Sequence, residues 1–375
     1  MRGNIRKKAD RTWEVSVELD RDPETGRRRR RWERVYGTKK DAEARLAQLL
    51  HEQETGLSVD PSRLTVAAWL REWFAQKAPH LRPTTRDRYR VAIEQRLIPA
   101  FGRVRLQELR PAQVQGVYAR WLAEGLAGPT VNSWHRVLAG ALREAVRLQL
   151  VGRAVTDAVR PPSATPHNLQ LKPADAPAVL RSLEAVEQPW RAFCLLILYT
   201  GMRRGEALGL QWPDVDLERG VAAITRTRTT TRSGELVEGP PKTKAGERAV
   251  PLPAPAVEAL REWRREQVED RLAAGATWEG GEWVFATRGG PIHPHTPTHW
   301  WRDHARQHGL ALRLHDLRHL AATIMAQTGI PPRVAAQVLG HTRPSFTLDV
   351  YAGAPDFEAM RQAVEALSKA YQGGA

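Results

Sequence analysis

The chain of 375 residues holds one cysteine, Cys194, inside the apolar run AFCLLILY. A single thiol excludes an internal disulfide framework and a cysteine zinc site, so a packed core is its expected place. Long hydrophobic runs are missing too: that stretch is far shorter than the roughly 20 apolar residues a membrane-crossing helix needs. The opening segment MRGNIRKKADRTW carries charge and no apolar stretch of a secretory leader, so a cytoplasmic location and no membrane partner are expected. There is no Walker A, GxGxxG or HExxH pattern. Acidic side chains are in deficit, 42 Asp and Glu against 57 Lys and Arg, for a formal charge of +15. A balance this basic points to a polyanionic partner, most simply nucleic acid.

What is present falls into segments. Residues 1–62 read as a small β-sheet with one helix. RTWEVSVELD alternates as a half-buried strand does, Asp22-Pro23 and Thr25-Gly26 signal a turn, and RRWERVYG reads as the returning strand. A helix follows, capped by Thr38 and ended at Gly56. Residues 1–40 hold 14 Lys and Arg against 7 Asp and Glu. Arg27, Arg28, Arg29, Arg30 and Arg31 lie around the hairpin beside Trp32, where a two-stranded ribbon could enter a DNA major groove.

Residues 63–163 read as a helical bundle, with Pro99 and Gly102 stopping its second helix and Arg82, Arg86, Arg88 and Arg90 near a helix start. RPPSATPHNLQLKPADAP is rich in proline and polar residues, and residues 164–177 read as a linker. Residues 178–375 are mixed. A buried helix ends at Gly201, strands cover GVAAITRTRTT, GERAVPL and EWVFAT, and helices close the chain. The expected fold is thus multidomain and mainly α with small β elements.

The candidate chemistry lies in that last segment. Arg203 and Glu206 stand three residues apart, so a resumed helix puts them on one face. In HDLRH, His315 and Arg318 share a face at a helix start, an anion-favouring place, and His319 is expected to pack elsewhere. In LGHTRPSFTLDVYAG, Gly340 ends a helix, His341 sits in the turn beyond, and Tyr351 falls in a short helix. In GPPKTKAGERAVPL, Lys242 and Lys244 flank Thr243 in what reads as a β-hairpin.

Two arginines, two histidines, a tyrosine and a lysine suit a phosphodiester. Guanidinium forks match the charge that builds on two non-bridging oxygens. A phenol with a pKa of about 10 can attack a phosphate so clamped, and a lysine or histidine can protonate the leaving oxygen.

These motifs resemble those of the tyrosine recombinases, or phage integrases, most strongly from about residue 188 to 355. TGMRRGE resembles the first arginine motif, which implies Arg203 as a catalytic residue supported by Glu206. HDLRH resembles the His-x-x-Arg motif, implying His315 and Arg318. LGHTRPSFTLDVYAG resembles the closing motif, implying His341 and the nucleophile Tyr351. PKTKAGERAVPL resembles the lysine hairpin; its Lys-Thr pattern selects Lys242, with Lys244 as the alternative.

The resemblance implies an arm-type DNA-binding domain at 1–62, a core-binding domain at 63–163 and a mixed α/β catalytic domain at 178–375. It further implies a 3′-phosphotyrosyl intermediate with no metal, ATP or other cofactor. The partners implied are double-stranded DNA at core and arm sites, three further copies of the chain on that DNA, and an accessory DNA-bending or excision factor. The two larger domains are expected to clamp the duplex, and the final helix to dock on a neighbour.

Three other readings compete: a type IB topoisomerase of similar chemistry, a DNA-binding regulator with a disused site, and a metal enzyme built on His293, His295 and His299 in HPHTPTH. Pro294 and Pro297 mark the last as a loop without metal spacing.

Overall fold

The computed structural model describes residues 3–19, 29–54, 62–163, 175–328, 330–340 and 357–372. The chain divides into two units, residues 1–168 and 169–375.

In the first unit, strands β1 (Gly3–Ala9), β2 (Thr12–Leu19) and β3 (Arg29–Tyr36) form an antiparallel sheet. The alternation read for β2 and β3 extends to β1. Ile5, Trp13, Val15, Val17 and Val35 point to one face and pack on Ala42, Leu46 and Leu49 of α1 (Lys39–Glu54). Thr38 caps that helix as expected. Its hydroxyl accepts from the Asp41 N–H at 3.3 Å, while the Asp41 carboxylate accepts from the Thr38 N–H at 2.7 Å. Gly56 lies outside the described residues.

The helices α2 (Val66–Lys77), α3 (Pro83–Ala92), α4 (Ile98–Phe101), α5 (Pro111–Ala123) and α6 (Gly128–Arg147) surround a second core. Its largest buried members include Trp69, Phe101 and Tyr118. Burying a side chain of that size contributes about 1.5–3 kcal/mol, and the Trp69 indole donates to the Ala141 carbonyl at 2.9 Å. Pro99 does not stop the second helix. A π turn at Ile93–Leu97 joins α3 to α4, and the helix ends at Gly102. The wider turn falls where a proline ring would otherwise strike the carbonyl four residues back.

The second unit begins earlier than the linker reading placed it, because α7 (Asp175–Leu183) takes up residues 175–177. Next come the buried α8 (Trp190–Thr200), the short α9 (Arg204–Ala207), and strands β4 (Val215–Asp216), β5 (Val221–Ile224), β6 (Thr227–Thr230), β7 (Leu236–Gly239) and β8 (Arg248–Pro251). Helix α10 (Ala254–Ala274), β9 (Ala286–Thr287), β10 (Gly290–Pro291), α11 (Thr296–Gln307), α12 (Leu314–Gln327), α13 (Pro332–Leu339) and α14 (Phe357–Gln372) complete the order. The sheets run β4-β5-β8, β6-β7 and β9-β10.

Cys194 is buried in α8, as its surroundings suggested. Burial pushes its thiol far above the usual range. EWVFAT contributes strand only at its end, Ala286–Thr287. HPHTPTH is not a loop throughout, for Thr296 opens α11, Pro297 lies in its first turn and His299 within it. Among the described residues no group of three or more His, Cys, Asp or Glu is arranged to hold a metal ion, and no helix is long and apolar enough to cross a membrane.

The final helix packs on its own chain. Met360, Val364 and Leu367 of α14 join the core of the second unit, and the Tyr371 hydroxyl donates to the Leu198 carbonyl at 2.9 Å.

Candidate active site and nucleic-acid interface

The site is built where α8, α9, β8, α12 and α13 meet. Helix α8 ends in a left-handed Gly201 at φ +64°, where a Cβ would come within 2.4 Å of Leu339. Arg203 then caps α9. Its backbone N–H donates to Glu206 Oε2 at 2.9 Å and its Nη1 to Oε1 at 2.6 Å. The shared face read from the spacing is therefore a closed ring between the two residues.

Glu206 is 1% exposed and reaches a second cation, with Arg248 Nη2 donating to its Oε2 at 3.1 Å. Burial opposes the charge of Glu206, yet Arg248 and Arg203 hold its carboxyl below the usual range.

Arg318 is 4% exposed on α12. Its guanidinium donates to the carbonyls of Gly201 and of Leu339, the latter at 2.7 Å. Burial, with the nearby charge of Arg203, pushes it down to about 9, which leaves it a cation at neutral pH.

The three guanidiniums share one target. Arg248 Nε donates to Val338 O at 2.8 Å, Arg318 to Leu339 O, and Arg203 Nη2 to Gly340 O at 3.3 Å. The last carbonyls of a helix lack partners within it and carry its negative end, so cations are favoured there. Gly340, left-handed at φ +66°, ends α13, and His341 is the next residue in the sequence.

His315 sits on the first turn of α12, and its ring is exposed. Desolvation, followed by the fields of His319 and Arg318, lowers its affinity for a proton. His319 does not pack elsewhere: it is exposed, with its ring edge-on to that of His315 at 4.8 Å. The four-residue spacing stacks them on one side of the helix.

Lys242 is exposed between β7 and β8. Those strands belong to different sheets, so the lysines stand in a connection containing one 3-10 turn, not at the tip of a hairpin. The side chain of Lys244, and all of His341 and Tyr351, lie outside the described residues. Arg203, Glu206 and Arg318 are thus gathered, with His315 close enough to Arg318 and Arg203 to feel their charge.

Sequence reading missed Arg248. The available signal was one cation inside the strand pattern RAVPL, which is costly unless paired.

Arg27 and Arg28 lie outside the described residues. Arg29, Arg30 and Arg31 are in β3 rather than in a turn, and Arg30 pairs with Glu18 at 2.9 Å. The outward face of the sheet carries Arg6, Lys8, Arg30, Trp32, Arg34 and Tyr36. Trp32 and Tyr36 are 55% and 74% exposed there. The arginine run does not point to Arg34 and Tyr36, although the period of two places both on the same face as Trp32. On α3, Arg86, Arg88 and Arg90 are exposed, and Arg90 pairs with Asp87 at 2.7 Å.

The pattern of the phage integrase family matches residues 170–356. The N-terminal SAM-like domain of phage integrases matches 65–122, and an arm DNA-binding domain matches 4–53. The chain belongs to the phage integrase family of tyrosine recombinases.

It is 26% identical over 333 residues to an integrase of Saccharopolyspora erythraea, covering 74% of this chain and 76% of the relative. A XerC-like tyrosine recombinase of Caldanaerobacter subterraneus subsp. tengcongensis is 27% identical over 366 residues, covering 90% and 91%. Among solved structures, the Tn1549 transposon integrase with a circular intermediate DNA superposes at a TM-score of 0.63 and 19% identity, over 81% of this chain and 99% of that one. A lambda integrase tetramer bound to a Holliday junction does so at 0.58 and 17%, over 93% and 98%. The architecture of an amino-terminal sheet with helix, a helical domain and a mixed catalytic domain is that of this family.

Proposed function

We propose that the chain is a site-specific DNA recombinase that integrates a mobile element, such as a phage or integrative plasmid, through a 3′-phosphotyrosyl intermediate at Tyr351. The observation that carries this reading is the meeting of Arg203 and Arg318 at the end of α13, the helix that leads into His341 and Tyr351.

In this reading the two guanidiniums and His341 neutralise the non-bridging oxygens of the scissile phosphate. The Tyr351 oxygen attacks phosphorus, and the bond to the 5′ oxygen breaks. Lys242 supplies the proton that makes this a 5′-hydroxyl. His315, neutral near pH 7 by virtue of its lowered proton affinity, takes the phenol proton. Attack by a 5′-hydroxyl on the phosphotyrosine reverses the step in a partner strand. The phosphodiester energy stays in the covalent link, so the cycle requires neither ATP nor metal.

Residues 63–163 and the catalytic segment bind the core site, residues 1–62 bind arm sites through the outward sheet face, and 164–177 connect them apart from the first turn of α7. Relatives in this family include a tetramer bound to a Holliday junction, and four copies of this chain on two sites are proposed likewise.

The test uses duplexes spanning the junctions of the mobile element that carries the gene, nicked so that the cleaved end diffuses away. The expected result is a denaturant-resistant DNA–protein adduct with the wild type, and none with Tyr351→Phe, which still shifts the duplex in a gel. Equal behaviour of the two proteins would show a binding protein only. Relaxation of supercoiled DNA without paired sites would indicate a topoisomerase.

A further inference from the structure

We propose that Arg248 is a positioning residue for strand cleavage: it joins Glu206 to the last turn of α13, which fixes both the aim of Arg203 and the place of the α13 terminus. This rests on the reading of the site given above.

The side chain of Arg248 is 7% exposed, and its three nitrogens have three separate tasks. Nη2 meets Glu206 at 3.1 Å, Nε meets Val338 O at 2.8 Å, and Nη1 meets Gly246 O at 3.2 Å. The first contact divides Glu206 between two cations, with Oε1 on Arg203 and Oε2 on Arg248. The second closes the row of carbonyls on which Arg203 and Arg318 also rest. The third ties β8 to the turn Lys244–Gly246, which follows Lys242.

Gly340 confirms how close this packing is. A Cβ there would stand 2.5 Å from Arg248 Nη1 and 3.1 Å from Ala245 O. The Arg248 guanidinium is engaged by Glu206, Val338 and Gly246, so its effect on cleavage runs through Arg203 and the α13 terminus. A lysine cannot replace it, since one ammonium cannot reach three acceptors arranged around a planar fork.

The experiment compares the full-length wild type with Arg248→Lys and Arg248→Met in single turnovers on the nicked core duplex at saturating protein. Binding, adduct amplitude, cleavage rate constant and melting temperature are all recorded. The rate constant is expected to fall at least about tenfold in both variants, while the dissociation constant stays within about twofold and the amplitude stays near that of the wild type. Adding Glu206→Gln to Arg248→Met should change the rate by much less than it does alone, because the two act as a unit.

Rate constants within about twofold of the wild type would overturn the proposal. So would a loss confined to amplitude, or a failure of both variants to fold, since each marks a merely structural residue. Absence of any adduct with the wild type overturns the underlying reading of the site, and the proposal with it.

Discussion

Arg318 donates to the carbonyl oxygen of Gly201, which lies 117 residues earlier in the chain. Gly201 ends the buried helix α8, and Arg318 also holds Leu339 at the end of α13. One side chain thereby fixes the distance between two helix termini and stands between them as a cation. The structural duty and the chemical one proposed for it cannot be separated by deleting it.

The conservative substitution Arg318→Lys exposes this double duty. An ammonium can serve one of the two carbonyls and leaves the other buried and unpaired. The expected cost is about 2–4 kcal/mol of unfolding free energy, read as a lower urea midpoint with an unchanged slope. Adduct formation should fall at least about a hundredfold. An unaltered midpoint would mean that the two helix ends are held by something else.

Gly340→Ala tests the same region through the backbone. The left-handed conformation costs an L-residue about 1–2 kcal/mol, and the new methyl group meets Arg248. Melting should occur several degrees lower, with slower cleavage at unchanged DNA affinity. A fully active, equally stable variant would contradict the tight approach at this turn.

How much of this was legible beforehand follows from which contacts are local. Arg203 with Glu206, the capping of α1 by Thr38 and the helix ends at Gly201 and Gly340 depend on spacings of a few residues and on glycine chemistry, and all were readable. Arg248 escaped because its partners lie 42 and 90 positions away, and no local pattern announces such a pair. The lysine connection was misplaced for a related reason. The sequence pattern shows the strand of β8 with two lysines before it, and only the tertiary fold assigns β7 and β8 to different sheets. Pro99 misled because local preference says stop, while a π turn lets the helix continue.

Acidity should act on the site in two ranges. The folded pKa of Glu206 lies below its ordinary value of 4.5, so its contribution is present above that pH and is lost as the pH falls through the lowered value. His315 is shifted below 6.5, so the unfolded chain binds its proton first, and stability declines as the pH drops through 6.5 toward the lowered value. Urea midpoints measured across this span should show both slopes. His315→Gln should flatten the upper one and Glu206→Gln the lower one. Profiles identical to the wild type would contradict the assigned shifts.

The sheet face is tested on separate DNA. Trp32→Ala and Arg34→Ala should weaken binding to arm-type duplexes while leaving core-site cleavage unchanged. For Arg34→Ala the slope of log affinity against log salt should become shallower by about one unit. Equal loss on core duplexes would place this face elsewhere in the assembly.

The central claim, that two guanidiniums neutralise one scissile phosphate, is tested most directly by removing the charge from the DNA. A core duplex is made with a neutral methylphosphonate at the cleavage position and given to the wild type and to Arg203→Ala, and adduct formation is timed. The expected result is that Arg203→Ala is severely slowed on the natural phosphate and recovers most of its rate on the neutral one, where the second cation is no longer needed. An equal deficit on both substrates would contradict the account.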